Sequence, residues 1–228
     1  DHLLAGDDFV SNDTNPSPDS PAETHGTHVA GIAGAETNNG VGIAGIAWNS
    51  RLLPIRIVGP LGASSANIAS GLIYAADHGV KVVNLSLGGP GWNKLERDAV
   101  NYAVAHGVVI VAAAGNENTI VTSYPASYDH VISVASTTRT DSRSYFSNYG
   151  SYVDIAAPGG ANLGGDRRGY SEHPLQRRLR EPCGDVDGCA ACSRCGGVSL
   201  VVRPCDDSTA GRGSPALHYA RSRHSRPR

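Results

Sequence analysis

Methionine is absent from this chain of 228 residues, and cysteine is absent until Cys183. A chain that opens on Asp1 with neither an initiator methionine nor a basic and apolar leader reads as a fragment of a longer product. The cysteine-free stretch excludes a disulfide framework there and fits export without requiring it. No apolar run approaches the roughly 20 residues of a spanning helix, which excludes a transmembrane segment. A formal net charge of -2 argues against a nucleic-acid or membrane-directed partner.

Lysine is missing too, but only from one end. Beyond about Asp166 there is no lysine, arginine becomes frequent, all 5 cysteines appear and hydrophobic periodicity stops. The length suits one sizeable core with a tail. The organisation read from this change is a domain over 1–160 and a tail over 161–228, the tail expected to be disordered.

What the first part contains is periodic. Arg51 to Val58 is a β-rich run whose proline suits a strand's beginning or edge. Ser64 or Ser65 can cap a helix with Ile68, Leu72, Ile73 and Ala76 on one face, ending at His78-Gly79. Lys81 to Leu87 reads as a buried strand. A helix with Leu95, Ala99, Tyr102 and Ala103 on one side then closes at His106-Gly107. Val108 to Ala114, Val131 to Ala135 and Tyr152 to Ala157 complete the strands. Apolar strands alternating with helices predict an α/β fold, a doubly wound parallel sheet covered on both faces. In such sheets ligands gather beyond the carboxyl ends of the strands.

Three stretches carry chemistry. Thr24-His25-Gly26-Thr27-His28-Val29-Ala30-Gly31 sets two imidazoles about one helical turn apart at the start of a small-residue helix, a placement that fixes a ring as a general base requires. Ala112-Ala113-Ala114-Gly115-Asn116 places an amide at a strand end, where a donor can meet a developing oxyanion. The polar segment from Asp7 to Pro16 clusters the hard oxygen ligands that calcium prefers.

The string His-Gly-Thr-His-Val-Ala-Gly resembles the histidine motif of the subtilisin-like serine proteases, and further strings similar to that family follow in order. The resemblance covers roughly residues 3 to 160. It implies a subtilisin-type sheet, incomplete at both ends, with His25 as the base of a Ser-His-Asp triad, His28 structural and Asn116 the oxyanion donor. Leu85-Ser86-Leu87-Gly88-Gly89 is similar to the family segment that pairs with a substrate peptide, so Ser86, Leu87 and Gly88 take one wall of the specificity pocket. Ala113, Ala114 and Gly115 take the other. Phe146-Ser147-Asn148-Tyr149-Gly150 and Ala156-Ala157-Pro158-Gly159 resemble scaffold strings. The resemblance also implies calcium ligands at Asp8 and Asp13, with Asn39 at a second site, no organic cofactor, a protein or peptide substrate, a monomer and an extracellular place of action.

Two triad members do not match. Asp1, Asp7 and Asp8 lie too near His25 for the family aspartate, which is expected upstream. The serine string Gly-Thr-Ser-Met-Ala is absent as written. Reverse-translated with chosen synonymous codons and moved one base forward, however, Gly184 to Gly196 reads Gly-Thr-Ser-Met-Ala-Ala-Pro-His-Val-Ala-Gly-Val. The reading frame is therefore expected to slip between about Gly159 and Tyr170, which leaves the chain inactive as written. On that reading Cys189-x-x-Cys192-x-x-Cys195, with Cys183 and Cys205, arises from shifted codons, although its spacing also suits zinc or an iron-sulfur centre. The arginine-rich end from Arg212 to Arg228 has the same origin, against a nucleic-acid arm. The alternatives are a non-catalytic peptide-binding relative and a degenerate domain with a metal-binding tail.

Overall fold

A computed structural model describes residues 3–20, 25–47 and 49–160, and the backbone of 198–204. Its centre is a seven-stranded sheet. Along the chain come β1 (Asp7–Asp8), α1 (His25–Gly34), β2 (Ser50–Arg56) and the hairpin of β3 (Val58–Gly59) with β4 (Gly62–Ala63). Then follow α2 (Ser65–Asp77), β5 (Val82–Leu85), α3 (Lys94–Ala105), β6 (Val109–Ala113), β7 (Val131–Thr137), β8 (Ile155–Pro158) and β9 (Val198–Pro204).

The expected α/β architecture is present. β5, β6, β7 and β8 are successive parallel neighbours, and β1 runs parallel to β2. The alternation of side chains along β2 decides which helix covers which face. Leu53 and Ile55 join the main core with Leu72 of α2, whereas Leu52 packs with Val29 of α1. Helices α1 and α2 therefore lie on opposite faces, as a doubly wound sheet requires.

One strand departs from the parallel pattern. β9 sits between β2 and β5 and is antiparallel to both, with Leu53 opposite Val201 on one side and Val83 opposite Val201 on the other. It falls within the tail expected to be disordered. The cysteine cluster, the shifted-frame string and the arginine-rich end lie outside the described residues.

Helix termini follow from local chemistry. The Ser64 hydroxyl accepts the Asn67 N–H at the start of α2, and the Asn93 carboxamide accepts the Leu95 N–H at the start of α3. At the other end His78 and His106 each donate Nδ1–H to a carbonyl four residues back, on Tyr74 and Tyr102, at 2.8 Å. The helix faces differ from the sequence expectation. The buried face of α3 is Glu96, Ala99, Val100 and Ala103, while Leu95 and Tyr102 point outward; on α2, Ile73 is outward and Ala75 takes its place in the core. Packing of α2 against α3 selects small residues at that seam, so the larger apolar side chains flank it.

Candidate active site

The parallel register of β5 and β6 brings the predicted residues to the carboxyl end of the sheet. Leu85 lies opposite Ala112, so Ser86-Leu87-Gly88 and Ala113-Ala114-Gly115-Asn116 leave neighbouring strands side by side. Strands pair at about 4.8 Å, which sets the two segments within reach of one extended chain.

His25 reaches the same end from α1. It is buried, and its Nε2 donates to the Ser86 carbonyl at 3.0 Å. A carbonyl only accepts, so this ring carries its proton on Nε2. Burial pushes the imidazole below its ordinary value; the bond to Ser86 opposes that, and neighbouring His28 adds to the lowering. Asn84 completes this corner by donating Nδ2–H to the Ser86 hydroxyl at 2.8 Å.

The two expected walls differ in what they offer. Ala113 and Ala114 are buried, and Ala114 has both backbone groups engaged: its N–H on Val134, and its carbonyl holding the Tyr152 hydroxyl at 2.8 Å and the Asn148 amide at 3.1 Å. The Gly115 carbonyl accepts the Asn148 N–H. This wall gives shape more than hydrogen bonds. The other wall borders a cleft of about 340 Å³ lined by Val58, Ile68, Leu87, Gly89, Glu96 and Tyr124 among others. Gly88 must be small there, because a Cβ would lie 2.7 Å from the Ser123 hydroxyl.

Asn116 has a buried Oδ1 that meets no hydrogen-bond partner among the described residues, while its N–H donates to the Glu117 carboxylate at 2.9 Å.

The turn that carries Asn116 depends on a residue that sequence reasoning placed in the scaffold. The fully buried Asn148 uses its whole side-chain capacity on it. Oδ1 accepts the N–H groups of Glu117 at 2.9 Å and Thr119 at 3.2 Å, and Nδ2 donates to the Ala114 carbonyl and to the Glu117 carboxylate at 2.8 Å. Gly115 has φ +110, and a Cβ there would fall 2.2 Å from Asn148 Nδ2, so glycine is required on both counts. Glu96 was also missed. An acid in a helix's first turn reads as an exposed partner of the dipole, and its burial becomes visible only when Tyr128 is seen beside it.

The residues expected to hold calcium are arranged differently. Asp8 Oδ1 accepts the N–H groups of Val10 at 2.7 Å and Ser11 at 3.0 Å, and Oδ2 pairs with the buried Arg56 guanidinium at 2.7 Å. Arg56 also pairs with Asp19. Asp13 Oδ1 accepts from Asn15, and Asn39 Oδ1 accepts from Val41. No group of three or more His, Cys, Asp or Glu gathers for a metal among the described residues. As arranged, these residues do not fit a calcium ion; the cation inside the first loop is Arg56.

Comparisons with known proteins bear on the family and the fold. Residues 5–182 match the model of the subtilase family. Thermitase from Thermoactinomyces vulgaris is 49% identical over 158 residues, which cover 69% of this chain and 56% of thermitase. A halolysin-like extracellular serine protease from Natrialba magadii is 45% identical over 156 residues, covering 68% of this chain and 29% of the relative. Among solved structures, proteases from Pseudoalteromonas arctica superpose with a TM-score of 0.63 at 35% identity, covering 71% of this chain and 58% of theirs. The chain thus spans little more than half of the thermitase length. With the family match over most of its residues, and with the strand ends and His25 placed as described, this chain belongs to the subtilase family.

Proposed function

We propose that the chain is part of the catalytic domain of a subtilisin-like serine endopeptidase that acts on protein substrates outside the cell. In the intact product His25 is the general base, the Asn116 amide the oxyanion donor, and Ser86 to Gly88 the edge on which a substrate strand pairs. The observation that carries this reading is the bond from His25 to Ser86, which fixes the imidazole to the strand end that neighbours Asn116. The extracellular place of action rests on the name of the Natrialba relative.

The chain as written is proposed to be inactive. To accept a proton from a serine hydroxyl, Nε2 needs its lone pair, which in a triad is kept there by an aspartate holding Nδ1–H. Here Nε2 carries the proton and donates it in a hydrogen bond to the Ser86 backbone carbonyl. That same bond favours a second reading, a peptide-binding relative without turnover.

A fluorophosphonate probe tests the first reading. The purified chain is expected to take no label, and the product of the gene with its frame restored past residue 160 is expected to be labelled on a serine and to hydrolyse peptides. Labelling of the chain as it stands would show a nucleophile in place. A restored product that binds peptides but neither reacts nor turns over favours the second reading.

A further inference from the structure

The cleft beside Ser86 to Gly91 has a lining that is mostly apolar or small, and one acid among it. Val58 and Ile68 supply buried apolar surface, Leu87 adds partly buried surface, and Gly89 and Gly91 leave the rim open. Glu96 is the charged residue of that lining, and it is only 6% exposed. Its Oε2 lies 3.1 Å from the Tyr128 hydroxyl, whose single proton is shared with the Asn93 carbonyl at 3.0 Å. The nearby basic side chains are occupied elsewhere, since Lys94 and Arg97 both pair with Asp98. Among the described residues no cation pairs with Glu96.

A buried carboxylate with one shared donor is poorly compensated, and a cation brought to it recovers that cost. It sits in the first turn of α3, where the helix N-terminus favours an anion. A peptide extended along Ser86 to Gly88 turns alternate side chains to opposite sides, so one of them enters this cleft. The side chains of Val58, Ile68 and Leu87 suit a run of methylenes and the acid suits a charge at the end of that run.

The geometry points to Glu96 as a specificity-determining residue that selects an arginine or lysine side chain of the substrate in this cleft. The inference rests on the proposal that a substrate strand pairs with Ser86 to Gly88. It concerns binding, so it holds whether or not the chain turns over.

The test uses the whole chain and fluorescein-labelled Ser/Ala octapeptides carrying a single Arg, norleucine or Glu at each position in turn, with affinity read by fluorescence anisotropy. At one position Arg is expected to bind about tenfold more tightly than norleucine, the worth of one charge-assisted contact. Glu96→Gln keeps an acceptor for the Tyr128 hydroxyl and is expected to abolish that preference without loss of the fold, followed by circular dichroism. Glu96→Leu is expected to reverse it in favour of norleucine. Equal binding of Arg and norleucine at every position, or a preference that survives Glu96→Gln, overturns the inference and leaves strand pairing standing. Failure of every peptide to bind overturns strand pairing, and the inference falls with it.

Discussion

Two loops of this molecule are each held by one buried side chain from a distant part of the sequence, and the two supports are of different kinds. The loop over 8–19 is organised by Arg56, a charge on β2 that pairs with Asp8 and Asp19 and also donates to Ser11. The turn over 114–119 is organised by Asn148, a neutral amide that uses three of its four bonds on backbone groups. A charged support ties its loop to pH and to an intact counter-ion. A neutral amide ties its turn mainly to geometry, with one of its four bonds on the Glu117 carboxylate. The turn that presents Asn116, the proposed oxyanion donor, has the support whose backbone bonds do not titrate.

The largest expected effect comes from removing the charge on one side only. Arg56→Leu leaves the Asp8 carboxylate buried without its cation, and breaking such a pair costs about 3–5 kcal/mol. Urea unfolding of this variant measures it. The double variant Asp8→Asn, Arg56→Leu is expected to recover most of the loss, since the amide oxygen still caps Val10 and Ser11. If the double variant is no better than the single, the support is packing and the contrast with Asn148 disappears.

Asn148→Ala comes next. It strips the partners from the Glu117 and Thr119 N–H groups, whereas the Ala114 carbonyl keeps the Tyr152 hydroxyl. Leaving such donors unpaired costs about 2–3 kcal/mol, and hydrogen exchange should rise at Glu117 and Thr119 before it rises in the sheet. Asn148→Asp sharpens the point, because it sets a second carboxylate against Glu117 at a contact now 2.8 Å long. Its damage should lessen in acid, when a protonated carboxyl can donate again. A pH-independent loss would mean that the amide acts by shape.

These two supports also show what a sequence reveals. The strands, the helices and the sheet end where His25 and Asn116 belong follow from periodicity and ordered strings, because those signals are local. Asn148 lies 31 residues from Glu117 and inside an ordinary turn string, so nothing nearby announces its bonds. Asp8 is legible as an oxygen ligand, but its partner Arg56 is not, since a guanidinium and a metal ion make the same demand on a carboxylate. β9 has a local signal, the run Val198-Ser199-Leu200-Val201-Val202, inside the tail for which no periodicity is expected.

Gly115→Ala tests the geometry directly and should cost less. With φ +110 and a Cβ placed 2.2 Å from Asn148 Nδ2, an alanine there is expected to lose about 1–3 kcal/mol. The clash and the backbone strain separate in a cycle with Asn148→Ala. In that background the Asn148 clash is gone and only the end of the flexible Glu117 side chain, 2.8 Å away, remains close, so Gly115→Ala should cost distinctly less; additive losses would place the penalty in the backbone.

The smallest effect is local and pH-driven. Burial raises the Asp8 carboxyl, but the Ser11 N–H, the Arg56 guanidinium and the Val10 N–H outweigh it and hold the group below its ordinary value of 3.8. A group whose folded value lies below its unfolded one stabilises the fold above the unfolded value. That contribution is lost as the pH falls from about 3.8 through the lowered folded value. The N–H groups of Val10 and Ser11 bond directly to this carboxylate, so their protection factors report its protonation. Measured by amide exchange between neutral pH and pH 3, with intrinsic rates corrected, protection at Val10 and Ser11 is expected to fall while that at Thr119 holds. Equal loss at Thr119 would mean that the two loops open as one unit, and that the charge on Arg56 and the amide of Asn148 support a single cooperative structure.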